Sequence, residues 1–513
     1  MRPLIHEIVT SHSPESLVEQ LQGGPGVVLL RSALFDSAQS RYSFVAARPF
    51  LTFRSFGPRC ESEFAGTKPM PRSAEHRSSR TLTETRGAIL RAPNTVLQVQ
   101  FGNPWQVLDS LMARYELLDE VDLPFPLGGC FGYWGYDLKN FVEPKLARLA
   151  VDDLELPDCH VGFYGSLVVF DHLLGKTWIV STGLDADGCR DDERAQRQSE
   201  FWRSLLETDS AAGFSLRPPA PLEGCGHGEE AQVVSNSSRA DFIEAVERAR
   251  RYIHAGDIYQ VNLSQRLAAS CPLSGWQLFQ RLAAVSPAPF SAYLDCGEFQ
   301  IASSSPELFL RLNGPHIRTR PIKGTRPRSA DPTRDAQLTR ELQTSAKEMA
   351  ELVMITDLLR NDLGKVCEYG SVQVPELVRL ERYAQVQHLV STVEGRLRSG
   401  MTHFAAFASC FPGGSITGAP KIRAMEIIDE LEPNTRGPYT GALGYLGFNR
   451  ESQLSILIRA AICRERTVYF QVGAGMVADS APAAEYEETL AKARGFFAAL
   501  NLQSQSAYAF LTT

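Results

Sequence analysis

Four glutamates in this chain fall into two Glu-x-x-Glu pairs: Glu348 with Glu351, and Glu485 with Glu488. Residues three apart share a helix face. Two such faces that converge would offer one hard cation a set of carboxylate oxygens, completed by water and substrate, an arrangement that suits Mg²⁺. Two solvated helix faces have the same spacing. The first pair carries an additional signal. Its face continues into Ile355 and Leu358, so the carboxylates line up with an apolar stripe, and a buried carboxylate needs a positive charge to offset its desolvation.

Three further stretches have chemical potential. Lys323 lies in Pro321-Ile-Lys-Gly-Thr325; a loop lysine is ordinarily solvated, but one that is desolvated or placed near another cation becomes a nucleophile. Phe411-Pro-Gly-Gly-Ser-Ile-Thr-Gly-Ala-Pro-Lys421 feeds a helical run over 422–431. Its free N–H groups and Lys421 would suit an anion, although a plain glycine-rich turn reads the same. It is not a phosphate-binding P-loop, because the Gly-x-x-x-x-Gly-Lys-Ser/Thr spacing is absent. Gly473-Ala-Gly-Met-Val-Ala478 follows a strand-like run over 467–472 and imitates a dinucleotide fingerprint. A βαβ unit and an acidic residue about twenty positions on would have to follow, and they do not. Nucleotide binding is rejected there, and a carboxylate-binding backbone turn remains.

These groups need elements to hold them. Residues 345–364 read as a helix of good helix formers without proline, with Gly364 placed to end it. Ser480 is placed to cap the helix of the second glutamate pair, with Pro482 in its first turn. A helix is predicted over 241–255 with Ser238 and Asp241 as N-cap candidates, then a strand over 258–264. Residues 290–294 and 299–303 suggest a hairpin, and 320–327 a constrained loop. Before residue 208 the chain is β-rich, with strands over 27–30, 42–45, 50–53, 161–170 and 177–181 and helices over 104–118 and 191–207. Gly128-Gly-Cys-Phe-Gly-Tyr-Trp-Gly-Tyr-Asp137 alternates glycines with aromatics, which allows close backbone approach. The strings around Gly132 and Gly444 are too short to count as a repeat. Residues 58–95 are polar and read as an excursion. Residues 208–236 are rich in Pro, Gly and charge and read as a linker. The expected division is therefore an N-terminal β-rich subdomain over 1–207, a linker over 208–236 and a catalytic domain over 237–513.

The bulk numbers narrow the classes. At 513 residues the chain exceeds a single core. A formal net charge of -7 recommends no nucleic-acid partner. Ten scattered cysteines without a Cys-x-x-Cys pair argue against a zinc site or disulfide framework and suit a reducing compartment. The start, Met1-Arg-Pro-Leu-Ile-His-Glu7, lacks an apolar signal region, and no apolar run is long enough to span a membrane. A cytoplasmic protein without membrane association is expected.

Taken together, the strings resemble the chorismate-utilising enzymes, the family of anthranilate synthase component I, aminodeoxychorismate synthase component I, isochorismate synthase and salicylate synthase. The strings are Gly256-Asp-Ile-Tyr-Gln-Val-Asn-Leu-Ser264, Ser304-Ser-Pro-Glu-Leu308, Arg320-Pro-Ile-Lys-Gly-Thr325, residues 348–364, His388-Leu-Val-Ser-Thr392, residues 413–421, Gly441-Ala-Leu-Gly-Tyr445, Gly473-Ala-Gly475 and Glu485-Tyr-Glu-Glu-Thr489. They recur in the family's order over residues 238–500. Leu29-Leu-Arg-Ser32, Arg41-Tyr-Ser-Phe44 and Phe131-Gly-Tyr-Trp-Gly-Tyr-Asp137 resemble the regulatory subdomain of its amine-transferring members.

The resemblance implies an α+β fold of large antiparallel sheets in a sandwich with helices packed outside. It implies chorismate as substrate and Mg²⁺ as cofactor, with Glu351 and Glu488 as ligands and Glu348 and Glu485 holding its waters. Lys323 would attack the ring while Glu307 protonates the departing hydroxyl. Arg459, Gly473 and Gly475 would hold the enolpyruvyl carboxylate, and Thr417, Gly418 and Lys421 the ring carboxylate side. Tyr445 and Gln260 fall among the substrate-binding positions, and His388 faces the substrate in the family; a plain core histidine reads the same.

Two positions bear on the reaction. Isochorismate and salicylate synthases carry a water-activating lysine where this chain has Gln260. Anthranilate synthases typically read Pro-Ile-Ala-Gly-Thr, whereas Lys323 matches the aminodeoxychorismate-forming members, which lead to 4-aminobenzoate and folate. No glutaminase motif occurs here, so the resemblance implies a separate glutamine amidotransferase partner. Relatives bind tryptophan in the N-terminal subdomain, and Arg31 departs from the acid of their Leu-Leu-Glu-Ser string. The rival readings are an anthranilate-forming enzyme and a non-catalytic chorismate or tryptophan sensor.

Overall fold

The computed structural model describes residues 2–32, 41–65, 95–118, 123–208, 233–383 and 386–502. Most of the expected excursion (66–94) and most of the expected linker (209–232) lie outside them. Where those two segments do enter, they are strands: Arg59–Ala65 for the first and Val233–Ser235 for the second.

Two 12-stranded antiparallel sheets make up the centre of the fold. The division expected at 208–236 separates chain segments but not sheets, because each half contributes to both. In the first sheet Val28–Arg31 pairs with Phe290–Asp295, Leu30 opposite Ala292. In the second, Gly129–Trp134 pairs with Ala442–Gly447. The two glycine strings that looked too short to relate therefore lie side by side, with Gly132 directly opposite Gly444. Their φ angles are 154° and 155°. A Cβ at Gly132 would stand 2.2 Å from the His160 carbonyl oxygen, and one at Gly444 2.0 Å from that of Gln453. Only glycine fits such an approach.

The sheets face each other through aromatic side chains: Phe44 of the first meets Tyr445 of the second at 5.2 Å between ring centroids. Helices Arg239–His254, Gly275–Val285 and Pro482–Ala499 cover the first sheet, and Ala346–Gly364 lies on strand Val386–Arg396 of the second. The fold is thus the α+β sandwich that the family resemblance implied. No helix among the described residues is long and apolar enough to cross a membrane.

Several expected elements shifted. The apolar run over 161–170 is two strands in different sheets, Cys159–Tyr164 and Ser166–Asp171, divided at Gly165. Both are buried on each side, so no alternation marked the break. Residues 320–327 are not a loop: His316–Arg320 and Ile322–Pro327 are strands, separated by Pro321, which has no N–H for the ladder. The strand expected over 258–264 runs as Gln260–Ser270. Ser238 is the cap of helix Arg239–His254 and Asp241 supplies the N–H it accepts. The helix of the second glutamate pair is capped at Ala481; the Ser480 hydroxyl accepts instead from the N–H of Val477.

The first glutamate helix is Ala346–Gly364, capped by Ser345, whose hydroxyl accepts from the Glu348 N–H. Its buried stripe is Leu352, Ile355, Leu359 and Leu363, and each such side chain is worth about 1.5–3 kcal/mol of burial. This anchorage turns the glutamates on the adjacent face inward, toward strand Ile322–Pro327.

Candidate active site

Lys323 occupies strand Ile322–Pro327 at the end of the second sheet. Its pairing with Val386–Arg396 slips between Lys323 and Thr325, at Gly324 with φ 70°. Such a bulge re-aims the side chains beside it. The Lys323 side chain is 16% exposed and its Nζ lies 3.8 Å from Oε2 of Glu351. Burial pushes its pKa below the ordinary lysine value, Lys492 pushes the same way, and Glu351 and Glu307 oppose.

The glutamates differ in their surroundings. Burial raises the pKa of Glu351, with Lys323 and Lys347 opposing. Burial likewise raises Glu485, opposed by a hydrogen bond from Ser480 and reinforced by Glu488. At Glu488 burial also acts upward, but the 2.9 Å ion pair with Lys492, together with Lys347 and Lys323, outweighs it and holds the carboxylate low. Glu348 pairs with Arg326 at 3.3 Å. Among the described residues no three His, Cys, Asp or Glu side chains are gathered closely enough to hold a metal ion. The donor chemistry nonetheless fits a hard cation. The carboxylates of the two helices act on one another, and three lysines now supply the positive charge that their burial demands.

Glu307 is 7% exposed. Its backbone carbonyl accepts from the N–H of Ile456, whose own carbonyl accepts from Ser305 Oγ at 2.6 Å. Burial pushes the Glu307 carboxyl up to about 7, opposed by the polar groups of Ser415 and Ile322 and by the charge of Lys323. His388 stands opposite Thr325 in the ladder, its Nδ1 2.8 Å from Thr325 Oγ1. Burial, aided by the charge of Arg459, pushes it down to about 4, so its ring is neutral near pH 7. Arg459 has φ 50° and, among the described residues, its guanidinium has no hydrogen-bond or ion-pair partner. Burial pushes its pKa down. A desolvated guanidinium without a partner is a place for an anion.

Gln260 is 1% exposed and its Oε1 lacks a hydrogen-bond partner. A Cβ at Gly475 would lie 2.5 Å from Gln260 Nε2 and 3.8 Å from Lys323 Nζ, so Gln260, Gly475 and Lys323 come together. Gly418 presses on the same strand: at φ 148° its Cβ would stand 2.1 Å from the Gln260 carbonyl oxygen. The Thr417 hydroxyl donates to the Gly413 carbonyl at 3.0 Å, so its own turn already uses it. The Gly473 carbonyl accepts from Lys492 Nζ at 2.8 Å.

Two expected substrate contacts do not belong to this cluster. Lys421 donates to Asp362 Oδ2 at 2.5 Å and to the carbonyls of Cys410 and Pro412 at 3.0 and 2.8 Å. With all three N–H groups committed, it binds the chain to itself and offers nothing to an anion. Tyr445 stacks on Phe131 at 5.3 Å and meets Phe44, inside the core between the sheets. Sequence reasoning missed Lys347, Lys492, Arg326 and Ser415. Lys492 was findable, being four residues from Glu488 on one helix face; Ser415, in a glycine-rich turn, carried no signal.

A buried lysine between carboxylates, a glutamate whose carboxyl is pushed up to about 7 and a guanidinium without a partner among the described residues make a candidate enzyme site suited to an anionic substrate. Residues 71–498 match the family described as chorismate binding enzyme, and the chain belongs to that family. It is 36% identical over 493 residues to anthranilate synthase component 1 of Acetivibrio thermocellus, covering 95% of this chain and 92% of that one. It is 37% identical over 404 residues to aminodeoxychorismate synthase component 1 of Bacillus subtilis, covering 79% and 83%. The crystal structure of anthranilate synthase component I from Streptococcus pneumoniae superposes with a TM-score of 0.72 at 27% identity, covering 95% of this chain and 99% of that one.

Proposed function

We propose that this chorismate-utilising enzyme aminates its substrate at C4, forming 4-amino-4-deoxychorismate from chorismate and ammonia. The observation that carries this reading is Lys323: a desolvated amine, 3.8 Å from Glu351, in the same pocket as the acid Glu307. The neutral amine would attack ring C2, both ring double bonds would shift by one position, and the C4–O bond would break. Glu307 would give the departing hydroxyl its proton, so that it leaves as water. Ammonia would then form a bond at C4, both double bonds would shift back, and the C2–N bond would break to restore the lysine amine. Glu307, left ionised, would take up the proton that ammonia sheds.

Arg459 would pair with the side-chain carboxylate of the substrate, and the Gly473 and Gly475 backbone would close around it. His388, neutral and oriented by Thr325, would lie beside the ring. Glu351 and Glu488 would hold Mg²⁺ directly, with Glu348 and Glu485 on its waters. Bound there, Mg²⁺ would neutralise the ring carboxylate and lend it a fixed position. Gln260 offers no base for water, which supports amination over hydration. Ammonia would come from a partner glutamine amidotransferase, the arrangement implied by the family resemblance.

A second reading, an anthranilate-forming enzyme, is favoured by the 36% identity that extends over 95% of the chain. One incubation separates the two. With chorismate, Mg²⁺ and ammonium, 4-amino-4-deoxychorismate should accumulate without pyruvate. Fluorescent anthranilate with equimolar pyruvate would overturn the proposal in favour of the second reading.

A further inference from the structure

Strand Gln260–Ser270 carries a buried amide that has no part in the amination chemistry. Residues two apart on a strand share a face, so Asn262 points the same way as Gln260. In the pairing with strand Thr467–Met476, Asn262 stands directly opposite Gly475 and Ser264 opposite Gly473. Without side chains of their own, the two glycines admit other groups over this face. A Cβ at Gly475 would stand 2.5 Å from Gln260 Nε2 and 3.8 Å from Lys323 Nζ, and one at Gly473 2.9 Å from the Tyr439 hydroxyl. Asn262 is 9% exposed, and among the described residues its Nδ2 has no hydrogen-bond partner. Its backbone, by contrast, is pinned on both counts. The N–H donates to the Thr417 carbonyl at 2.8 Å, and the carbonyl accepts from Arg436 at 2.7 Å. Arg436 also donates to the Ile416 carbonyl and to Glu432, which ties the strand to the turn 413–419. A buried amide N–H without an acceptor costs free energy, and a native site that keeps one has a reason.

We propose that Asn262 is a substrate-binding residue: its Nδ2 donates to the side-chain carboxylate of the substrate, over the floor made by Gly473 and Gly475. This rests on the placement of that carboxylate at Arg459 in the proposed function. The amide lacks an acceptor, and the glutamates do not supply one. Glu348, Glu351 and Glu488 face Arg326, Lys323 and Lys492 instead. The acceptor therefore arrives with the substrate. Of its two carboxylates, the one on the ring goes to the glutamates and their cation, which leaves the side-chain one for this face. A carboxylate has about four lone-pair positions, more than one guanidinium fills. A neutral amide adds a directed donor there without adding charge.

The experiment follows chorismate consumption by the full chain carrying Asn262→Ala or Asn262→Asp, beside the native protein, and competitive inhibition by two probes. Benzoate has only the ring carboxylate; 3-(carboxymethoxy)benzoate adds a side-chain one. Asn262→Ala should raise the KM for chorismate about tenfold with kcat within about twofold of native, the loss of one hydrogen bond to a charged group. It should weaken 3-(carboxymethoxy)benzoate by the same factor and leave benzoate unchanged. Asn262→Asp, close in size, sets a like charge where the donor was and should weaken chorismate and 3-(carboxymethoxy)benzoate further. It also gives the answer if Asn262→Ala does not fold. An unchanged KM in the folded variants, or equal weakening of the two inhibitors, would overturn the proposal. Anthranilate as the product would overturn the amination reading and leave that of Asn262 intact. Arg459→Ala is measured alongside: unaltered inhibition by 3-(carboxymethoxy)benzoate there would remove the carboxylate's placement, a result distinct from any failure of Asn262.

Discussion

Lys323 Nζ lies 3.8 Å from Glu351 Oε2, although the two residues belong to different elements, an edge strand and a helix laid over the sheet. In the proposed mechanism this pair would join the two chemistries of the site, nucleophile and cation, and it limits what either residue can do alone. A lysine held by a carboxylate tends to stay charged, whereas burial favours its neutral, attacking form. Occupation of the glutamates by a cation would release the lysine from that hold. Lys323→Ala should therefore lower amination by at least about a hundredfold while the fold survives. Comparison of product formation with the melting temperature of the variant checks both halves, and full activity would exclude the covalent step.

The same pair predicts how the cation is felt. Glu351→Gln removes one carboxylate charge from the set and should raise the Mg²⁺ concentration for half-maximal activity by at least about tenfold. Chelation should abolish turnover of the native enzyme, and added Mg²⁺ should restore it. A Mg²⁺ titration identical in the variant would remove Glu351 from the ligand set.

Glu307 should leave its mark on stability as well as on rate. Its pKa rises from 4.5 to about 7 on folding. The folded state thus favours the protonated form, and stability is lost as pH climbs from the unfolded value through about 7. The difference is worth about 3 kcal/mol once both states are ionised. Glu307→Gln should consequently unfold at higher urea concentration than the native chain at pH 8, with little difference at pH 4, even as turnover falls by roughly two to four orders of magnitude. Equal midpoints at pH 8 would show that the carboxyl is not strained by burial.

Lys421 and Asp362 form a pair whose side chains are 9% and 1% exposed. Lys421→Met leaves the Asp362 carboxylate with Lys365 at 3.1 Å as its remaining ion partner. Breaking such a pair from one side costs about 3–5 kcal/mol, whereas replacing both charges costs much less. Chemical denaturation should show a large loss for Lys421→Met and partial recovery in Lys421→Met with Asp362→Asn. Equal stability of the two variants would mean that the pair is not the strut that holds the turn 413–419.

Local pattern was sufficient for some parts and silent on others. Helix Ala346–Gly364 was legible because its propensities, its Ser345 cap and its apolar stripe all agree, and each acts within a few residues. The strand carrying Lys323 was read as a loop, since Pro321 interrupts it and a bulge at Gly324 hides its alternation. The run over 161–170 passed for one strand because both of its pieces are buried on either face. Lys421 looked like an anion ligand from its place after a glycine-rich turn, and only its distant partner Asp362 showed otherwise.

What the sequence determined by itself is the inventory: two glutamate pairs at helical spacing, a lysine at 323, a glutamine at 260 and an order of strings that marks the chorismate-binding family. Spacing along the chain fixes which side chains share a face, because helix and strand periods are local. Only the tertiary structure decided which faces meet. It brought Glu307, Lys323, Gln260 and Gly475 to one place, gave Lys492 to Glu488, and withdrew Lys421 and Tyr445 into the interior. Those outcomes depend on sheet pairing between residues hundreds of positions apart and on burial, which sets the charge each group prefers. Neither is written in any short stretch of the chain.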